Sequence, residues 1–236
     1  MWLVLILVGA VAGFMSGAVG FGGGMILLPV ITYFFGVEVA VPVSTISQLM
    51  SNLSKMGFGW KDIDWKKAGQ YLIFAAPLTA LGAYGFAKVD KVLMTRILCV
   101  FLIVFAIMKI AGKMKLPHRP GTVIIGGGIA GLCNGLLGIA GPISSAVFLT
   151  MGLSNVAYIA SEATAAAAMH VIKIFMYGKL DLMSGSIFLN GFFIGLAMMA
   201  GNFVAIKLIK NVNKKLYQKI VAGVMIVASV FLFFSV

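Results

Sequence analysis

The chain has 236 residues, of which 61% are hydrophobic and 10% are charged, and its mean hydropathy is +1.10. Soluble domains are roughly 45–50% apolar and about 25% charged, so this composition excludes a water-soluble protein. A spanning helix needs about 20 apolar residues, and about eight spans would leave no room for a separate catalytic or regulatory domain. We therefore expect an all-α integral membrane protein.

The scarce polar residues exclude several kinds of chemistry. Six acids, two His and two Cys cannot build a zinc cluster or a multi-carboxylate cation cage, so we predict no metal and no cofactor. The sequence contains neither an HExxH motif nor a nucleophile motif, and we expect no enzyme. The net charge of +12 comes from basic clusters between apolar runs, which is typical of cytoplasmic loops rather than of nucleic-acid binding.

Eight apolar stretches follow one another along the chain, separated by short gaps rich in Lys, Asp, Pro and Asn. Backbone groups in lipid must pair within their own segment, so each stretch is predicted to be a helix or a pair of helices. The first is apolar from Met1 onward and indicates a membrane helix rather than a signal peptide. The stretches span residues 2–35, 41–58, 66–87, 92–112, 122–152, 155–177, 182–206 and 214–235.

The gap at 113–120 divides the chain almost in half. We therefore predict a membrane repeat over 1–112, a connecting loop over 113–120 and a second membrane repeat over 121–236.

Two of the stretches, 2–35 and 122–152, are too long for one straight crossing. Each is interrupted by a glycine-rich run, which is Gly20-Phe21-Gly22-Gly23-Gly24 in the first and Gly138-Ile139-Ala140-Gly141-Pro142 in the second. Glycine costs about 1 kcal/mol inside a helix and proline about 3, so both runs should break the helix. We predict half-helices that begin near Gly24 and Pro142, since proline suits the first turn of a helix.

The glycines also reveal an internal repeat. Five of them recur at a constant offset of 118 residues. The pairs are Gly9 with Gly127, Gly13 with Gly131, Gly17 with Gly135, Gly20 with Gly138, and Gly23 with Gly141. The first three pairs are spaced by four residues, a pattern of close helix packing, whereas the glycines at the two breaks are assigned to ligand binding.

The orientation of the two copies depends on how the broken elements cross the membrane. If both cross fully, the eighteen Lys and Arg divide ten against eight between the two faces. If both enter and return as re-entrant hairpins, the eighteen divide thirteen against five, which the positive-inside rule favours. The second arrangement makes the copies inverted repeats of about four helical elements each. It places the basic loops 55–67, 109–119 and 207–219 in the cytoplasm of a prokaryotic cell with this protein in its inner or plasma membrane.

Polar residues inside the apolar stretches indicate where a transport site would lie, because burying them in lipid is expensive. They cluster at Ser47, Gln48 and Asn52 in the first copy and at Glu162, Thr164, His170 and Lys173 in the second. Lys55 fits a site residue and a snorkelling end residue equally well. Glu162 fits either a proton carrier or the structural partner of a lysine. Four lone polar residues are predicted to make interhelical hydrogen bonds, namely Ser16, Asn134, Asn190 and Asn202.

With these features, the chain resembles the TauE/SafE family of sulfite exporters. The resemblance lies in the segment Gly13–Gly24 leading into Leu27-Leu28-Pro29, in the second glycine signature from Gly131 to Gly141, and in a turn with an aspartate after each polar helix. Those turns contain Asp64 and Asp181. The resemblance implies export or exchange of small sulfur-containing anions such as sulfite and organosulfonates. The chain departs from the family pattern at Val43–Ser47 and at Pro142, which replaces a glycine.

We therefore predict a secondary transporter that works by alternating access, with the anion at the two half-helix N-termini. The predicted substrate-binding residues are Gly22, Gly23, Gly24, Ser47, Gln48, Asn52, Gly138, Gly141, Pro142, Thr164, His170 and Lys173. Glu162 and His170 are candidates for proton coupling. The expected partners are the small anion and the lipid bilayer, and the sequence leaves a homo-oligomer open. The alternatives are an anion channel and a transporter of another small organic anion.

Overall fold

The computed structural model describes residues 2–20, 22–111 and 119–208, together with 223, 226–227 and 229–234. All regular secondary structure in these residues is helical. Most of the predicted connecting loop 113–120 and of the basic loop 207–219 lies outside them. The helices are α1 (Trp2–Val19), α2 (Gly23–Phe35), α3 (Val37–Phe58), α4 (Trp65–Lys88), α5 (Lys91–Ile110), α6 (Pro120–Leu137), α7 (Gly141–Leu149), α8 (Asn155–Lys179) and α9 (Gly185–Leu208), with a 3-10 turn at Trp60–Asp62.

Three of the described helices are long and apolar enough to cross a bilayer by length and composition. The candidate spans are Lys91–Met108, Asn155–Lys179 and Gly185–Lys207. Shorter apolar helices cover Leu3–Ala18, Gly23–Phe35 and Gly121–Leu137. These lengths and compositions agree with an all-helical membrane protein.

Polar and apolar side chains are distributed as expected for a protein surrounded by lipid. In α3, Ser47, Asn52 and Lys55 are buried, whereas Leu53 and Phe58 are exposed. α5 likewise exposes a row of aliphatic side chains along one face. Because polar groups are expensive in hydrocarbon, the polar face of α3 is turned into the protein.

The two glycine stripes pack closely against helices from the opposite half of the chain. Gly9, Gly13 and Gly17 of α1 lie against α9 at Ile194, Met198 and Asn202. In the same way, Gly127, Gly131 and Gly135 of α6 lie against α4 at Tyr71, Ala75 and Thr79. Both pairs contact with rising residue numbers, so each pair of helices runs in parallel. The predicted packing role of these six glycines is confirmed.

The central pair of helices, α3 and α8, runs antiparallel. Gly59 at the end of α3 lies against Ala160 near the start of α8. The next residues of the chain stay close to this end of α8, because the Asp64 N–H donates to Ser161 Oγ at 2.8 Å. Further along α4, Phe86 packs on Tyr177 near the end of α8, with ring centroids 5.5 Å apart. α4 and α8 are therefore parallel to each other.

The helices thus form two sets of opposite direction. α9 also runs parallel to α3, since Gly191 lies against Ile46 and Gly195 against Met50. α1, α3 and α9 form one set. α4, α6 and α8 form the other.

Both glycine runs break the helix at the predicted places, and the chain reverses there. α2 begins at Gly23, which lies against Ala12 and Ser16 of α1, so α2 returns alongside the helix that precedes it. α7 begins at Gly141 and has Pro142 in its first turn, and its Val147 lies against Gly126 of α6. Two short helices therefore begin inside the helical bundle.

We predict that Gly131→Ala destabilises the protein. A methyl group at this position would collide with the backbone of Ala75, so α4 and α6 would have to separate. Overpacking of this kind costs about 1–3 kcal/mol. The thermal unfolding temperature of the purified protein in detergent should fall. Gly121→Ala is the control on the same helix, since a methyl group there meets nothing within 4 Å. Equal effects of the two substitutions would contradict the packing role of Gly131.

Candidate anion site between the broken helices

The two breaks face one small cavity near the middle of α3 and α8. Its volume is about 30 Å³, and its wall includes Gly22, Gly23 and Gly24 from one break and Ala140 and Gly141 from the other. A water molecule needs roughly 10–15 Å³ of such space, so in this conformation the cavity has room for about two or three waters.

The first turns of α2 and α7 carry no side-chain cap. Helix N-termini leave backbone N–H groups without partners and carry a partial positive charge of about half a unit. In the structure both termini lie in the cavity wall. Two such termini make this cavity electrostatically suitable for an anion.

Polar side chains from four helices complete the wall. Ser16, Asn52, Lys55, Asn134, Glu162 and His170 are all buried, and Gln48 and Ser51 line the cavity beside them. The chain has only six acids, and Glu162 is the acid among these wall residues. The described residues contain no group of three His, Cys, Asp or Glu placed to hold a metal.

Lys55 hydrogen-bonds the C-terminal end of α1. Its ammonium donates to Ser16 Oγ at 3.0 Å and to the Gly20 carbonyl at 3.1 Å. Gly20 has a φ of 91°, which only glycine adopts easily, and its carbonyl is among those that a helix end leaves without an intrahelical partner. A cation at this end is also favoured by the negative pole of the helix dipole.

Gln48 makes the corresponding hydrogen bond at the second break. Its Nε2 donates to the carbonyl of Gly138 at 3.3 Å, and Gly138 has a φ of 75°. Gln48 and Lys55 are two turns apart on one face of α3. α3 therefore contacts the end of the helix that precedes each break.

Several buried atoms of the cavity wall have no hydrogen-bond partner among the described residues. They are both side-chain polar atoms of Asn134, Oε2 of Glu162 and Nδ1 of His170. An unsatisfied buried polar group costs about 1–3 kcal/mol. Such atoms beside two uncapped helix N-termini are suited to contact a small polar guest and its water.

Most of the predicted site residues meet at the cavity. Besides the three glycines of the first break, Gln48, Asn52, Gly141, Glu162 and His170 all lie in its wall. Ser16 and Asn134 line it as well, although the sequence predicted only interhelical hydrogen bonds for them. Ser16 accepts such a bond from Lys55, whereas the prediction is wrong for Asn134, whose side chain has no partner among the described residues. The signal that identifies them is their offset of 118, which places each four residues before the glycine of its break.

The structure does not bring Ser47, Thr164, Gly138, Pro142 or Lys173 into the cavity wall. Ser47 turns toward α9 and donates to the Gly191 carbonyl at 3.0 Å. Thr164 donates to the carbonyl of Ala160 in its own helix at 2.8 Å. Both hydroxyls therefore donate to backbone carbonyls. Neighbouring residues of a helix point in different directions, so Ser47 does not share the direction of the adjacent Gln48. Gly138 takes part through its carbonyl, which accepts the hydrogen bond from Gln48.

A helical chain that exposes apolar faces and turns its polar side chains onto broken helices has the features of a membrane transport protein. The sequence matches the family described as Sulfite exporter TauE/SafE over residues 5–232, nearly its whole length. The chain belongs to this family of membrane transporters, and that membership points away from an enzyme. No curated protein and no solved structure matches the chain.

We predict that Asn202→Ala loosens the cavity wall. The buried amide nitrogen of Asn202 lies 3.0 Å from the Ser51 carbonyl oxygen and Oγ, and 2.8 Å from Ser54 Oγ. Loss of these interhelical bonds should lower the free energy of unfolding by about 1–2 kcal/mol. Chemical denaturation in mixed micelles measures the change. Asn190→Ala, at a half-buried position on the same helix, is the control, and a loss as large there would show that Asn202 has no special role.

Proposed function

We propose that the protein carries small sulfur-containing anions, such as sulfite or organosulfonates, across the membrane and binds them between the N-termini of α2 and α7. The observation that carries this proposal is that two uncapped helix N-termini, Lys55 and His170 meet at one cavity. The family supports a sulfite exporter or permease.

The charges around the cavity favour a small, compact anion. Each helix N-terminus contributes a partial positive charge of about half a unit, and Lys55 lies in the wall beside them. Gln48 and Asn52 supply amide groups for hydrogen bonds to oxyanion oxygens. A sulfite or sulfonate group presents three oxygens in a small volume, which suits donors that converge from two breaks.

Alternating access is supported by the directions of the helices. α1 and α3 of the first half run opposite to α6 and α8 of the second, as inverted repeats require. Each glycine stripe packs on a helix of the other half, so the two halves are related in their packing as well as in their sequence. Inverted repeats that meet at a central site are typical of secondary transporters, and this favours a carrier over an anion channel.

The same directions support the proposed orientation. They place Lys61, Lys66, Lys67, Arg119 and Lys207 at one end of the bundle, and Lys88, Lys91 and Lys179 at the other. The more basic end would face the cytoplasm of a cell with this protein in its plasma membrane.

We predict that Gln48→Ala weakens sulfite binding by about tenfold or more, because hydrogen bonds to charged groups contribute about 1.5–3 kcal/mol. Titration calorimetry of the purified protein measures the dissociation constant, and sulfite flux in proteoliposomes should fall with it. The control is Ser47→Ala, the adjacent residue, whose side chain faces α9. If Ser47→Ala weakened binding and Gln48→Ala did not, the proposed cavity would not be the site.

We further propose that Glu162 and His170 couple anion transport to protons. Both are buried in the cavity wall beside Lys55, so a proton gained or lost there would change the field that the anion meets. The double variant Glu162→Gln, His170→Asn should transport an organosulfonate, which stays ionised at all pH values tested, at a rate that no longer depends on pH. Flux into proteoliposomes measured over a series of pH values tests this. A pH profile unchanged from the wild type would remove the coupling proposal.

A further inference from the structure

Two lysines occupy equivalent positions in the repeat and have different surroundings in the structure. The offset of 118 relates Lys55 to Lys173, and it relates the partners of Lys55 to residues of the second half. Ser16 corresponds to Asn134, and Gly20 corresponds to Gly138. If the repeats were in the same conformation, Lys173 would bind Asn134 and the Gly138 carbonyl.

The structure shows these bonds in the first half and not in the second. Lys55 donates to Ser16 Oγ and to the Gly20 carbonyl. Lys173 is fully buried, yet its ammonium has no hydrogen-bond partner among the described residues, and both side-chain polar atoms of Asn134 have none either. The carbonyl of Gly138 is held by Gln48, through the long bond of 3.3 Å.

Lys173 is nevertheless placed beside the end of α6. One turn further along α8, the hydroxyl of Tyr177 donates to the Gly135 carbonyl at 2.9 Å. One turn earlier, His170 shares the cavity wall with Asn134. Lys173 therefore lies on the face of α8 that packs on the last turn of α6. Lys173 does not line the cavity, so in this conformation it would not contact an anion bound there.

We propose that Lys173 is the latch of the opposite-facing conformation. In that conformation its ammonium binds Asn134 and the Gly138 carbonyl, while Lys55 leaves Ser16 and Gly20. The proposal rests on the inverted repeats of the proposed function. Exchange of one set of bonds for an equivalent set keeps the two conformations close in energy, which a carrier needs in order to populate both.

The conformational equilibrium can be measured without knowledge of the substrate. In a background with Cys99→Ala and Cys133→Ala, Ala166→Cys places one thiol in the cavity wall. A membrane-impermeant maleimide is applied to right-side-out and to inside-out vesicles, and the ratio of the two labelling rates reports the side to which the cavity opens. Lys55→Met and Lys173→Met should shift this ratio in opposite directions, each by about tenfold.

Three further variants test whether a shift of the labelling ratio arises from the proposed bonds of Lys173. Asn134→Ala removes the proposed partner and should reproduce the effect of Lys173→Met, so it decides the matter if Lys173→Met does not fold. Lys173→Arg keeps a cation and should restore most of the wild-type ratio. Lys179→Met is the control, because Lys179 is an exposed cation near the end of the same helix. A shift of the ratio in the same direction for both lysines, or no shift for Lys173→Met and Asn134→Ala, would overturn the proposal.

Binding measurements separate this proposal from the function on which it rests. A latch leaves the sulfite dissociation constant of Lys173→Met within about threefold of the wild type after correction for the shifted equilibrium. Loss of binding with an unchanged labelling ratio would make Lys173 an anion ligand and overturn the latch, while the proposed function would stand. Opposite shifts in a protein that neither binds nor transports any sulfur anion would support the latch and contradict the substrate.

Discussion

A peptide group in the hydrocarbon core of a membrane has no water to bind, so every interruption of a helix there must be satisfied by protein or by a guest. The described part of the chain has two helix interruptions, at Gly20–Gly24 and Gly138–Pro142, and polar side chains of other helices gather around them. The carbonyls that end the first helix of each pair are bound by Lys55 and Gln48. The N–H groups that begin the second helix of each pair have no side-chain cap. That difference between carbonyls and N–H groups is the basis of the proposal that the cavity binds an anion.

Close packing of α1 on α9 and of α4 on α6 keeps the two breaks together. Glycines at Gly13 and Gly131 bring these backbones so near that no side chain fits between them. Each contact joins one half of the chain to the other, so neither break is positioned by its own half alone. The polar face of α3 then contacts both breaks from the centre. The packing of the two halves against each other therefore determines both where the candidate site lies and which polar side chains face it.

The helical class, the breaks and the packing glycines could all be predicted from the sequence, because each depends on local composition or spacing. Ser47 and Gln48 show where such prediction ends. They are adjacent polar residues in one apolar stretch, and only the packing of α3 decides that Ser47 faces α9 while Gln48 faces the cavity. Lys173 is a similar case, since its burial without a hydrogen-bond partner among the described residues depends on how α8 packs against α6. For Asn134 the sequence offers only its correspondence to Ser16 at the offset of 118, and the packing of α6 near α8 brings it into the cavity wall.

The most direct test of the account is the position of a bound anion. Crystals of the protein soaked with selenite, a heavier analogue of sulfite, would be measured at the selenium absorption edge. The account predicts one strong anomalous peak between Gly22–Gly24 and Ala140–Gly141, within hydrogen-bond distance of both helix N-termini. A selenite site elsewhere in the protein, with the space between the two breaks empty at a saturating concentration, would contradict it.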